Sequence, residues 1–190
     1  IRKELLQTRH IEHRPDEVNL LIFGGSRGAR NINQSIVQNL DLLRPLANRI
    51  KIVHQTGPDL LKEVSEAYEK GGITADVKEF IYDMRAAYEW ADLVVCRSGA
   101  SSLAELTALG KPAIVVPYPY AIGDHQTKNA RLLEAKGALK VVPDENLRNG
   151  ALVKEICHIL EHPEILVEMA DNSKKMGMPN AARVIAQEII

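Results

Sequence analysis

The strongest constraint on this chain is an alternation: short apolar runs of strand length are separated repeatedly by segments of helical period. Val18 to Phe23, Ile50 to His54, Ala75 to Phe80, Leu93 to Cys96, Ala113 to Val116 and Leu139 to Val142 read as strands, the third being the weakest. Between them, Ala29 to Leu43, Leu60 to Glu69, Met84 to Trp90, Ser102 to Leu109 and Gln126 to Lys136 read as helices. Ile32, Ile36, Leu40 and Leu43 lie on one face of the first. Gly71-Gly72, Gly110 and Gly137 supply stop signals. From Leu147 onward the pattern is helical, with breaks expected at Pro163 and Pro179. Strands alternating with helices require crossover connections, and hence parallel pairing with both sheet faces covered. The expected class is α/β: a Rossmann-like, doubly wound parallel sheet of about six strands with C-terminal helices. Ligands of such sheets bind beyond the carboxyl ends of the strands. Residues 1–17 are polar and read as a linker, and residues 18–190 as one domain.

Composition narrows the function classes. With 190 residues and 45% hydrophobic side chains, the chain can build one ordinary core. Lys and Arg number 24 against 25 Asp and Glu, a formal charge of −1, which argues against a nucleic-acid binder held by a bulk basic field. Cys96 and Cys157 match neither a disulfide framework nor a zinc-ligand spacing. No apolar run is long enough to span a membrane, and Ile1 to Leu5 does not resemble a signal peptide. The chain does not begin with Met, which suggests a fragment of a longer protein, and the expected compartment is the reducing cytoplasm.

Four motifs sit at expected strand ends, and each carries a functional and a purely structural reading. Gly24-Gly25-Ser26-Arg27-Gly28-Ala29 lets backbone N–H groups approach a diphosphate at a helix N-terminus; it also suits a tight turn with no ligand. A Walker loop is excluded because no Gly-Lys-Ser/Thr follows. A nicotinamide dinucleotide site is disfavoured because the second strand ends in His54-Gln55, not in an acid. Cys96-Arg97-Ser98-Gly99-Ala100-Ser101-Ser102-Leu103-Ala104-Glu105 offers a second anion-friendly mouth. Glu105 there would accept both hydroxyls of a ribose diol, or, with Ser102, form a capping box. In Gly123-Asp124-His125-Gln126-Thr127-Lys128-Asn129, the amides of Gln126 and Asn129 share a helix face and suit sugar hydroxyls; alternatively Asp124 caps a solvated first turn. Glu79-Phe80-Ile81-Tyr82-Asp83-Met84 would read a planar base with backbone groups while Phe80 covers a face. The alternative is Phe80 and Ile81 in the core with Asp83 as a cap. His54 is expected to be a satisfied polar group at a strand end, and Arg27 and Arg97 to contact phosphate or solvent.

Taken in order, these segments resemble the C-terminal, donor-binding half of the MurG family. These are bacterial UDP-N-acetylglucosamine–lipid I N-acetylglucosaminyltransferases of the GT-B fold. The matching residues include the Gly24–Asn33 loop and helix start, His54-Gln55-Thr56-Gly57, Glu79-Phe80-Ile81, Ala91-Asp92, Cys96–Ala100, Glu105 and Asp124-His125-Gln126 with Asn129-Ala130. The resemblance implies that Gly24, Gly25 and Ser26 lie against the UDP diphosphate and that Arg2 reaches the phosphates. Ile81 would bond uracil through its backbone, with Phe80 beside the base and Met84 near the ribose. Glu105 would take the ribose hydroxyls, and Ala100, His125, Gln126 and Asn129 would surround the GlcNAc. It further implies inverting transfer with no metal ion and no other cofactor. The acceptor, lipid I, and the cytoplasmic face of the inner membrane would be engaged through an N-terminal half absent from these residues. That half would also supply the general base. Rival readings are a subunit of a split glycosyltransferase, a UDP-sugar-binding module without transfer activity, and, least compatible with His54-Gln55, a dehydrogenase.

Overall fold

A computed structural model describes residue 5, residues 17–25 and residues 27–189. The expected contacts of Arg2 and Ser26 therefore lie outside the described residues, as does most of the 1–17 stretch. Six strands form one sheet in the order β3-β2-β1-β4-β5-β6, and all are parallel. They are β1 (Val18–Ile22), β2 (Ile50–Gln55), β3 (Ala75–Lys78), β4 (Leu93–Arg97), β5 (Ala113–Val116) and β6 (Lys140–Val141). The helices are α1 (Arg30–Gln38), α2 (Leu40–Leu43), α3 (Leu61–Gly71), α4 (Met84–Trp90), α5 (Ala100–Leu109), α6 (His125–Glu134), α7 (Ala151–Glu161), α8 (Pro163–Met176) and α9 (Ala181–Ile189). Pro163 opens α8 at its first turn, where a missing N–H costs nothing.

The alternation of side chains along the strands divides the core in two. Leu20 and Ile22 of β1 face one layer with Ile32, Ile36, Ile52, Val64, Val95 and Ile156. Leu21 of β1 joins Phe23, Tyr88, Val94, Cys96, Leu103 and Val115 on the other. Leu5, inside the stretch read as a linker, is fully buried in this second layer. Sheet order reverses direction between β1 and β4, so their carboxyl ends flank the switch point where crevices form.

Two readings are corrected. The helix expected over Ala29 to Leu43 is interrupted at Asn39, whose backbone leaves the helical region (φ −124°, ψ 19°). Its side-chain amide donates to the Ser35 carbonyl at 2.8 Å, satisfying the helix end locally. The third strand stops at Lys78, two residues early, because the Glu79 carbonyl turns to accept the Gly57 N–H at 3.1 Å.

Candidate functional site

Every loop at the carboxyl edge of the sheet starts from a strand end, and neighbouring loops are locked to one another. After β1 the chain runs through Gly24, Gly25 and Gly28 into α1. Gly28 has φ +73°, and a Cβ there would lie 1.9 Å from the Thr56 carbonyl oxygen. Across from it, Gly57 has φ +77°, and its Cβ would lie 2.2 Å from the Arg27 carbonyl oxygen. The turns after β1 and β2 therefore touch backbone to backbone, and only glycine permits the approach.

Buried polar groups reinforce this seam. Asn33 Nδ2 donates to the Thr56 carbonyl at 2.9 Å, which fixes its Oδ1 as the acceptor facing His54 Nε2 at 3.1 Å. His54 Nε2 therefore carries the proton, and Nδ1 accepts from the Tyr68 hydroxyl at 3.0 Å. His54 is fully buried, and desolvation pushes its pKa down to about 3, so it stays neutral and is a satisfied structural group, as expected. Gln55, 3% exposed, bridges sideways. Its Nε2 donates to the Gly25 carbonyl at 2.6 Å, and its Oε1 accepts the Ile81 N–H at 3.3 Å.

Beyond β3, the expected pair separates. Ile81 is buried in the core, whereas Phe80 is exposed and meets the exposed Tyr82 edge-on with ring centres 5.0 Å apart. Asp83 caps α4, accepting the Ala86 N–H at 2.9 Å, and Met84 begins that helix, half-buried. The Ile81 N–H is not idle, contrary to the reading of free backbone groups at this strand end: Gln55 holds it.

After β4 the capping-box reading fails. α5 begins at Ala100 with Gly99 as N-cap and no side-chain cap bond, because Ala100 and Ser101 already take helical geometry. Ser102 is thus the third helical residue and Glu105 the sixth, one and a half turns in. Glu105 instead accepts from the Tyr88 hydroxyl at 3.2 Å. The Cys96 thiol beneath it is pushed up to about 12 by burial and by the Glu105 charge, which leaves it inert as a nucleophile. Arg97 is committed internally. It pairs with Asp144 at 2.5 Å, donates to the Pro117 carbonyl at 3.1 Å and lies over the Tyr118 ring. Its side chain is only 15% exposed, so the solvated reading does not hold. Gly99 has an ordinary φ of −63°, and a Cβ there would meet open space, so the fold itself does not demand glycine.

After β5, Gly123 (φ +62°) and Asp124 (φ +54°) form a left-handed turn into α6. Asp124 is the N-cap residue, but its side chain makes no cap bond. The His125 Nδ1–H donates to the Ile122 carbonyl at 2.7 Å. Gln126 Oε1 accepts the Tyr118 N–H at 2.9 Å, so its amide is oriented with the donor end left for other partners. Asn129 is exposed one turn further on, beside Ala100 and Leu103 in a shallow apolar groove.

Four helices, α1, α4, α5 and α6, thus start at one rim. α1, α5 and α6 begin with no side-chain cap and no acidic residue in their first turn, so their N–H groups and partial positive charge face outward. A cleft of about 660 Å³ lies beside this rim, between α1, the Pro119-Tyr120 loop and Asp144 to Arg148. Among the described residues, no cluster of three His, Cys, Asp or Glu side chains is placed to hold a metal ion, and no helix is long and apolar enough to cross a membrane. Gln55, Asn33, Tyr88 and Asp144 had no assigned role in the sequence reading. The only signal was a glutamine where dinucleotide sites carry an acid.

Residues 19–185 match the glycosyltransferase family 28 C-terminal domain. The chain is 45% identical over 172 residues to the UDP-N-acetylglucosamine–N-acetylmuramyl-(pentapeptide) pyrophosphoryl-undecaprenol N-acetylglucosamine transferase of Syntrophus aciditrophicus, covering 90% of this chain and 48% of that protein. It is 42% identical over 179 residues to the enzyme of the same name from Geobacter sulfurreducens, covering 94% and 49%. The chain therefore spans about half the length of the curated relatives it matches. Among solved structures, Acinetobacter baumannii MurG superimposes with a TM-score of 0.83 at 32% identity, covering 95% of this chain and 54% of that one. UDP-GlcNAc 2-epimerase from Neisseria meningitidis shares the fold at a TM-score of 0.60 and 18% identity, over 93% and 44%.

Proposed function

Because the chain belongs to the glycosyltransferase family 28 C-terminal domain family, we propose that it is the donor-binding half of an inverting N-acetylglucosaminyltransferase. The full protein moves GlcNAc from UDP-GlcNAc to the 4-hydroxyl of the MurNAc in lipid I, making lipid II for peptidoglycan. The single observation that carries the placement of the donor is the convergence of α1 and α5, both opening without an acid or a side-chain cap, on the β1–β4 switch point. The diphosphate lies between the Gly24-Gly25-Ser26 turn and the Gly99-Ala100 turn, where Gly99 leaves room that the fold does not need. Uracil sits at the end of β3 against Ile81, with Phe80 beside it. Glu105, already oriented by Tyr88, takes the ribose hydroxyls. His125, Gln126 and Asn129 at the start of α6 face the sugar, and Arg2 reaches the phosphates.

In the reaction the acceptor hydroxyl attacks the anomeric carbon. The bond from that carbon to the UDP oxygen breaks, and the hydroxyl proton passes to a general base. The charge that develops on departing UDP is met by helix N-termini and backbone N–H groups in place of a cation. The base, the lipid I site and the contact with the cytoplasmic membrane face belong to an N-terminal domain. This chain supplies half of a cleft and binds donor without turning over lipid I.

Calorimetry with UDP-GlcNAc and an assay for lipid II test this reading. The expected result is measurable donor binding and no transfer. Glu105→Ala should weaken UDP by about 1.5–3 kcal/mol, the size of a lost charge-assisted contact, and lower the stability of the fold by less, about 1 kcal/mol for the lost Tyr88 bond. Robust transfer by these 190 residues would refute the half-site, and unchanged UDP affinity in the variant would remove Glu105 from the ribose.

A further inference from the structure

The turn after β1 and the end of β3 are read above as seats for the two ends of one nucleotide, the diphosphate and the base. In sheet order, β2 lies between them. One side chain spans the gap: Gln55, the last residue of β2, nearly fully buried. It donates to the Gly25 carbonyl at 2.6 Å and accepts the Ile81 N–H at 3.3 Å.

We propose that Gln55 is a positioning residue that couples base recognition to diphosphate recognition, resting on the donor placement above. Only a neutral amide of this length satisfies both partners. One end must donate to a carbonyl and the other accept from an N–H, which a carboxylate cannot do and a hydrocarbon does at neither end. The Gly25 bond is short and holds a residue at φ +90°, a conformation in which the turn's direction depends on what anchors it. The Ile81 bond is long, so this N–H can share itself with an acceptor on a base edge without abandoning Gln55. A base drawn against Ile81 orders the amide, and the amide orders the Gly25 turn. The same holds in reverse, because coupling between two sites is reciprocal. The second half-ligand then meets a turn that has already lost its freedom, so the two halves strengthen each other. Gln55 touches neither half-ligand in this account.

The experiment uses uridine and inorganic pyrophosphate as separate probes, titrated into this chain and followed by NMR. In the wild-type chain, saturating pyrophosphate should tighten uridine about five-fold, at the lower end of ordinary site–site coupling. The side-chain amide signals of Gln55 should move with either probe. In Gln55→Met and Gln55→Glu the enhancement should fall to one-fold, even where uridine alone still binds. A merely structural role would lower stability, or both affinities, without changing that ratio. Independent binding of the two probes in the wild-type chain overturns the proposal, as does an enhancement that survives in a folded variant. If uridine does not bind the wild-type chain at all, the donor placement falls first and the inference with it, a result distinct from uncoupled binding.

Discussion

The two ends of the rim are built differently. The β1–β2 seam is fixed by backbone contact at Gly28 and Gly57, by the buried Asn33–His54–Tyr68 chain and by the buried Gln55. The turn from Pro117 to Asn129 is mostly exposed after Pro117. It carries the exposed Tyr118 and Tyr120 rings and is held by single bonds such as Tyr118 N–H to Gln126. On the proposed reading the first region receives the nucleotide and the second the sugar. The Gly28–Gly57 seam beneath the nucleotide stands without a ligand, with only the exposed Gly25 turn above it left to be ordered, while the sugar end leaves donors available and space open. Pre-organisation of this kind puts binding energy into the part of the donor that does not react.

The sharpest way to break the comparison is to put one methyl group in each region. Gly28→Ala should cost about 3 kcal/mol or more, since a left-handed φ and a hard backbone clash combine. Gly123→Ala meets open space and carries only the φ penalty, about 1 kcal/mol. Chemical denaturation of both variants checks this, and equal losses would mean the seam is no tighter than the loop. A smaller effect comes from pH. The His54 pKa is lowered from 6.5 to about 3 by burial, so the unfolded chain takes up a proton that the folded chain refuses. Stability should be constant above about pH 7 and fall as acid is added. The loss from this group is about 1 kcal/mol between pH 6.5 and 5.5, continuing toward pH 3. A His54→Gln variant should lose that slope even if it is less stable throughout. The smallest effect belongs to the open end. Gln126→Ala should weaken UDP-GlcNAc by about 1 kcal/mol and leave UDP unchanged. An equal loss for both ligands would place Gln126 in the nucleotide region.

Much of the fold was legible because period and punctuation are local signals. The β5 bounds agree to the residue, and Gly72, Gly110 and Pro163 end or open helices as read. The errors were local too. The helix after β4 starts two residues before Ser102, since Gly99 can serve as N-cap without a side chain, and so the apparent Ser102–Glu105 box has no cap to make. Asn39 ends a helix that its apolar neighbours alone would continue. What stayed hidden was lateral. Gln55 meets partners 30 and 26 residues away, and Arg97 meets Asp144 across 47. Such bonds follow from strand order, which spacing along a chain does not encode.

The mutual fit of Gly28 and Gly57 has a consequence for anyone wishing to retune the molecule. Neither turn can be redrawn by itself, because each forms the wall against which the other is moulded. A library that varies the loop after β1 at fixed β2, or the converse, would sample mainly broken proteins. Productive variants would have to be sought among paired changes, as though the two loops were a single component with its halves written 29 positions apart.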